Sequence, residues 1–107
     1  MKKLFLNFFG SFIFLIFSLI IQANADELFK NGKEIFLEAG NCAACHTLAD
    51  AGSNAMVGPN LNEIRPDIQR IIMAVRNGIG VMPAMEGILS DQEIEAVSHY
   101  VSIAAEQ

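Results

Sequence analysis

Residues 42–46 read Cys-Ala-Ala-Cys-His, and they are the tightest constraint in the chain. Two thiols three positions apart on a helical turn point the same way, and the imidazole of His46 follows directly. The C-x-x-C-H pattern is the attachment signature of a c-type haem. The thiols can reach two neighbouring vinyl groups on one porphyrin edge, and His46 can then turn under the iron. Ala43 and Ala44 are small enough to let the backbone lie against the macrocycle. Three other readings use the same residues. A disulfide between Cys42 and Cys45 suits an oxidising compartment. A thioredoxin-like pair wants a βαβ setting, and no strand pattern is legible here. A zinc site would need both Cys and both His, and adjacent Cys45 and His46 fit a tetrahedron poorly.

The first 25 of the 107 residues differ from the rest. Lys2 and Lys3 open the chain, an apolar run extends from Leu4 to Ile21, and Ala23-Asn24-Ala25 has the A-x-A shape of a leader-peptidase site. A cleaved signal peptide over 1–25 is expected, with an uncleaved anchor as the competing reading because the run nearly suffices to span a bilayer. Either way the chain from Asp26 lies outside the cytoplasm, in the periplasm or an equivalent exported location. Without the leader, 107 − 25 leaves 82 residues carrying 5 basic and 12 acidic side chains, a net charge of −7. That excludes a multi-domain enzyme, and the acid excess argues against nucleic-acid binding, which needs a cationic face.

Three helical patterns follow. Leu28, Phe29, Gly32, Ile35, Phe36 and Ala39 form one stripe of a helix over about 27–39, with Gly40 as its C′ residue. A second helix starts with Pro66 at N1 and turns Ile68, Ile71, Ile72 and Val75 inward, ending at Gly78. A third starts at Ser90, where Ser90-Asp91-Gln92-Glu93 is a capping box and Leu89 and Ile94 form a hydrophobic staple. Between the first two helices lie 18 irregular residues, 47–64. An 82-residue domain with that much loop has too little core of its own, so a bound group should fill the space between the helices.

From CAACH onward the chain resembles a class I c-type cytochrome over nearly all of 26–107. Its further marks are Gly58-Pro59-Asn60-Leu61, then Met82-Pro83, then a closing helix with Tyr100. The resemblance implies an all-α fold, three to four helices around one covalently attached haem c bound through Cys42 and Cys45. It implies His46 as the proximal iron ligand, its second ring nitrogen held by the carbonyl of Pro59, with Leu61 on the haem face. The sixth ligand should be a soft neutral donor. Met73 reads as core, Met56 comes too early in the order, and His99 faces away from the buried stripe. Met82 and Met85 remain. Met82 is favoured because Pro83 stiffens it and the family places its ligand Met directly before Pro; Met85 is then a thioether packed near the haem edge. Gly32 is expected to let the last helix cross closely, with Tyr100 filling the gap. Asn60, Arg65 and Arg76 are candidate partners for the haem propionates.

With both axial positions filled, the implied function is one-electron transfer between larger redox proteins and not an enzymatic reaction. The alternatives are a dedicated cytochrome subunit of a molybdenum sulfite dehydrogenase, to which CAACHTLADAG, GPNL and NGIGVMPAM are similar, and a haem enzyme or sensor with an open iron site. Partners should be redox donors and acceptors with a basic docking face. Ala43-Ala44 and Ile79 to Met85 should frame the contact, with Asp50, Glu86 and Asp91 as an acidic rim. A membrane is involved only through partner complexes or an uncleaved leader.

Overall fold

Ser90 and Glu93 do what their spacing implies. In the computed structural model, which describes residues 2–107 and the side chains of residue 10 and of 12–107, Ser90 Oγ accepts the Glu93 N–H at 3.1 Å. Glu93 Oε1 accepts the Ser90 N–H at 3.0 Å, closing the box and starting α4 (Asp91–Ala104). Leu89 and Ile94 are both buried, as a staple requires. The other helices are α1 (Lys2–Leu37), α2 (Leu61–Ile64) and α3 (Ile68–Asn77).

Three boundaries depart from expectation. α1 is continuous from the apolar leader into the first domain helix, because no Gly or Pro between Ile20 and Asn31 interrupts it. Its segment Phe12–Leu37 is long and apolar enough to cross a membrane, and Phe12 to Ile21 lie exposed. Lys2, Lys3, Phe5, Phe8 and Phe9 are described in backbone only. α1 ends at Leu37, so Ala39 falls outside it, and Asn41 (φ 51°) takes the left-handed position expected of Gly40. Pro66 lies one residue before the cap of α3, not at N1. Asp67 is the cap, and its carboxylate accepts the Arg70 N–H at 3.1 Å.

The stretch 47–64 holds a two-stranded antiparallel ladder, β1 (Thr47–Leu48) and β2 (Ser53–Asn54), with Thr47 opposite Asn54. Two residues per strand are too few to leave an alternating pattern in the sequence. Ser53 Oγ accepts the buried Leu48 N–H at 3.1 Å, and Asn62 Oδ1 accepts the Ala49 N–H at 2.8 Å. Together they tie this segment to α2.

The core gathers Phe36, Leu48, Leu61, Ile71, Val75, Leu89, Ile94, Val97, Tyr100, Val101 and Ala104. Met73 is not part of it; its side chain is 64% exposed. α1 packs mainly on α4. At their crossing a Cβ on Gly32 would overlap the Ala96 carbonyl oxygen and come within 2.5 Å of Tyr100 Cβ. The missing side chain is what allows that approach, so this helical glycine repays its propensity cost of about 1 kcal/mol. Tyr100 is fully buried, edge-on to Phe29 (centroids 4.9 Å apart) and Phe36 (5.8 Å).

The Tyr100 hydroxyl donates to Asp50 Oδ2 at 2.7 Å, and Lys33 Nζ lies 3.2 Å from the same oxygen. The pair fastens the segment after the C-x-x-C-H turn to both long helices. Burial and then the Asp50 carboxylate push the Tyr100 phenol well above its ordinary pKa. A phenol with a raised folded-state pKa contributes stability below the unfolded value of about 10 and loses it as pH rises past that value. Tyr100→Phe should therefore cost about 1–2 kcal/mol at neutral pH, because Asp50 loses its hydroxyl donor and keeps only Lys33. It should also flatten the fall in stability above pH ~10. Urea melts of the two proteins at pH 7 and 10.5 check both effects.

Candidate functional site

The Cys42–His46 segment is a tight turn set by its own backbone. Residues Cys42–Ala44 form a single 3₁₀ turn, and both the Cys45 and His46 N–H groups donate to the Cys42 carbonyl, at 3.1 and 3.0 Å. Cys42 and Cys45 are half-buried and are not bonded to one another.

His46 is fixed from two sides. Its Nδ1–H donates to the Pro59 carbonyl at 2.8 Å, which holds the proton on Nδ1 and leaves the lone pair on Nε2. Gly58 lies flat against the ring: a Cβ there would come within 2.6 Å of Cε1 and 2.9 Å of Nδ1. The Gly58 N–H donates to the Cys45 carbonyl at 2.7 Å, locking this strap onto the turn. The sequence marks Gly58-Pro59 only as a turn with a useful carbonyl. That the glycine is the plate on which the imidazole rests is visible only in three dimensions.

The remaining expected residues converge on one region. Leu61 is buried at the start of α2. Cys42, Ala43, Met82 and Met85 are half-buried and pack on the same core cluster. Met82 sits in a reciprocal backbone pair with Ile79, at 2.9 and 3.2 Å, and the Met85 N–H donates to Val75 O at 2.8 Å. Met56, Val57, Ile64, Ile79, Val81 and Ile88 are exposed, Val81 at 89%.

The donor set suits a haem c. It offers two thiols on one turn, an imidazole with a single free lone pair, neutral thioethers, and apolar side chains for a macrocycle to lie against. Among the described residues no group of three or more His, Cys, Asp or Glu is placed to hold a metal ion, as the zinc reading would need.

Several polar residues are differently employed than expected. Asp50 is taken up by Tyr100 and Lys33, so it is not a free rim acid. Glu86 and Asp91 stay on the surface, but both pair with Arg76 Nη1, at 3.6 and 2.9 Å. Asn60 caps α2 through the Asn62 N–H, and Arg65 Nε donates to the Asn62 carbonyl. His99, expected to be a surface residue, is half-buried with Nε2 enclosed and unpaired.

Comparisons with known proteins converge. A family model described as cytochrome c oxidase, cbb3-type, subunit III matches residues 27–101. Cytochrome c6 of Synechocystis sp. is 40% identical, over 86% of this chain and 78% of its own length. Cytochrome c6 of Porphyra purpurea is 34% identical, over 100% of this chain and 98% of its own. Among solved structures, the c-type cytochrome SorU from Sinorhizobium meliloti superposes with a TM-score of 0.71 at 56% identity, covering 75% of this chain and 93% of that one.

Proposed function

The chain belongs to the small class I c-type cytochromes, a family of mono-haem electron carriers with haem c bound covalently at the Cys42/Cys45 pair, and from that premise we propose that His46 and Met82 are its axial ligands. The hydrogen bond from His46 Nδ1 to the Pro59 carbonyl carries this reading, because it aims a single basic nitrogen and raises its donor strength. The bound haem supplies a one-electron change at iron. The protein's own residues do the rest. Gly58 and Pro59 keep the imidazole from rotating. Leu61 and Met85 give the ring system apolar contact and keep water away. Met82 would supply the iron with a second protein donor, leaving no open site for substrate, and a Met donor would favour the reduced state. The protein is an electron-transfer protein that works with redox partners.

Lys2-Lys3, the apolar run and Ala23-Asn24-Ala25 support export and cleavage after Ala25, which places the carrier in the periplasm or an equivalent compartment. Its partners then carry a basic docking face, since the 26–107 domain is acidic and Ile79 and Val81 offer an exposed apolar contact next to Glu86.

Intact mass of the exported protein tests cofactor and processing in one measurement. The expected species starts at Asp26, carries one haem and shows no thiol after unfolding. Two labelled cysteines would overturn the cytochrome reading; a chain starting at Met1 would replace the cleaved leader by an anchor. A second reading, a dedicated cytochrome subunit of a molybdenum sulfite dehydrogenase, is favoured by the resemblance of CAACHTLADAG, GPNL and NGIGVMPAM. Consistent with a narrower grouping, identity is higher to SorU, at 56%, than to the two cytochromes c6 described above, at 34% and 40%. Mild purification in which a molybdenum enzyme travels with the haem supports it; a haem protein that always elutes alone rules it out.

A further inference from the structure

We propose that Arg76 is a positioning residue for the sixth ligand: it latches the loop carrying Met82 against α3 and α4 and so sets how often that loop opens. The inference rests on the reading of Met82 as a ligand.

The loop between α3 and α4, residues 78–90, is held by few interactions. Ile79 and Val81 point into solvent, so apolar burial comes only from Met82, Met85 and Leu89. Short of Leu89, its backbone hydrogen bonds to the rest of the fold fall on the last turn of α3. The Met85 N–H donates to Val75 O at 2.8 Å and the Glu86 N–H to Arg76 O at 3.3 Å. The loop doubles back over Gly78, whose positive φ of 71° turns the chain; a Cβ there would reach Met82 O at 2.5 Å and Ala84 N at 2.8 Å. One side chain spans the whole arrangement. From α3, Arg76 Nη1 reaches Asp91 Oδ1 at 2.9 Å, on the first residue of α4, and Glu86 Oε1 at 3.6 Å, one residue after Met85. The end of α3, the far limb of the ligand loop and the start of α4 are thus joined through one guanidinium nitrogen.

Magnitudes separate this role from ordinary stabilisation. Both pairs are exposed on the carboxylate side, and such pairs contribute little to global stability. Removing them should lower the melting temperature by only about 5–10 °C. The opening of a segment this lightly held responds to the same small change, because its closed state depends on few other contacts. Two weak pairs lost together should raise the open fraction about fivefold to tenfold.

The test is imidazole binding to the ferric holoprotein, whose rate at saturating imidazole reads how fast the Met82 loop opens. Imidazole is a small ligand that is mostly neutral above its own pKa, so at pH 8 its encounter with the protein is insensitive to salt. Arg76→Gln should raise the rate about fivefold to tenfold with the thermal midpoint lowered by only about 5–10 °C, and Arg76→Lys, which keeps a charge and donors, should restore most of the wild-type rate. In the wild type the rate should climb with ionic strength toward that of Arg76→Gln, while the variant stays flat. Met82→Ala is the control for the underlying reading: it should abolish the long-wavelength band of ferric Met–iron bonding and bind imidazole without a gate. If Met82→Ala loses the band but Arg76→Gln binds imidazole at the wild-type rate, the latch is wrong and the ligand stands. If Met82→Ala keeps the band, the ligand assignment falls and the latch falls with it.

Discussion

Met82→Ala holoprotein should fold with its haem attached and have a reduction potential lower by on the order of 0.2 V, within the roughly 0.8 V that axial ligation spans. Attachment depends on Cys42 and Cys45, and His46 keeps its support from Pro59, so the first half of the site survives the change. On the proposal that Met82 is a ligand, what is lost is a neutral sulfur donor that favours the reduced iron. Because Met82 is only half-buried, the packing cost is smaller than the 2–5 kcal/mol typical of a fully buried Met→Ala change. Met85→Ala serves as comparison. Its backbone fastening to Val75 does not need the side chain, and its thioether is read as packing, so the Met–iron band should persist and the potential should shift far less. Redox titration and ferric absorption of the two variants decide the matter: loss of the band in Met85→Ala and its retention in Met82→Ala would exchange the two roles.

Gly32→Val should be the most damaging single substitution in the domain. A Cβ at Gly32 meets backbone, the Ala96 carbonyl, and the Cβ of a fully buried Tyr100. Neither can swing aside as the tip of a flexible side chain could. Separating the helices would unpack Phe29 and Phe36 from Tyr100 and pull its hydroxyl from Asp50. The expected cost exceeds about 4 kcal/mol, in the range reserved for gross overpacking, against a total of roughly 5–15 kcal/mol. For a domain of this size that lowers the melting temperature by about 20 °C or more. Gly32→Ala is the sharper comparison, since alanine gains about 1 kcal/mol of helix propensity that the clash must exceed. A melting temperature for Gly32→Ala within a few degrees of wild type would show that the crossing has slack.

What could be read from the sequence was what is encoded locally. Ser90 to Glu93 write the start of α4 in four adjacent residues, and Cys42 to His46 write the attachment turn in five. The misreadings occur where two residue types compete for one position or where the partner is distant. Pro66 and Asp67 both suit a helix start; the carboxylate wins because it can accept the Arg70 N–H, leaving Pro66 just outside. Met73 fits an apolar period but lies beside the stripe that Ile71 and Val75 bury. Asp50 looks like any surface acid until Tyr100, 50 positions later, folds onto it. The continuity of α1 follows from an absence: between leader and domain the chain has no helix-breaking residue, so local structure does not mark the point where processing would divide it.

The crossing of α1 and α4 has a consequence for the order of events. Gly32 and Ala96 meet although 96 − 32 = 64 positions separate them, and everything that surrounds the haem lies between. Joining ends that far apart costs on the order of 4 kcal/mol in chain entropy, and contacts of such long range slow folding. A chain emerging N-terminus first presents residues 42–46 well before α4 exists to meet α1. Both thiols are then on an open strand within reach of haem and of whatever joins it to them. The last 17 residues complete the closure by bringing in α4, Tyr100 with it, after the cofactor is tethered.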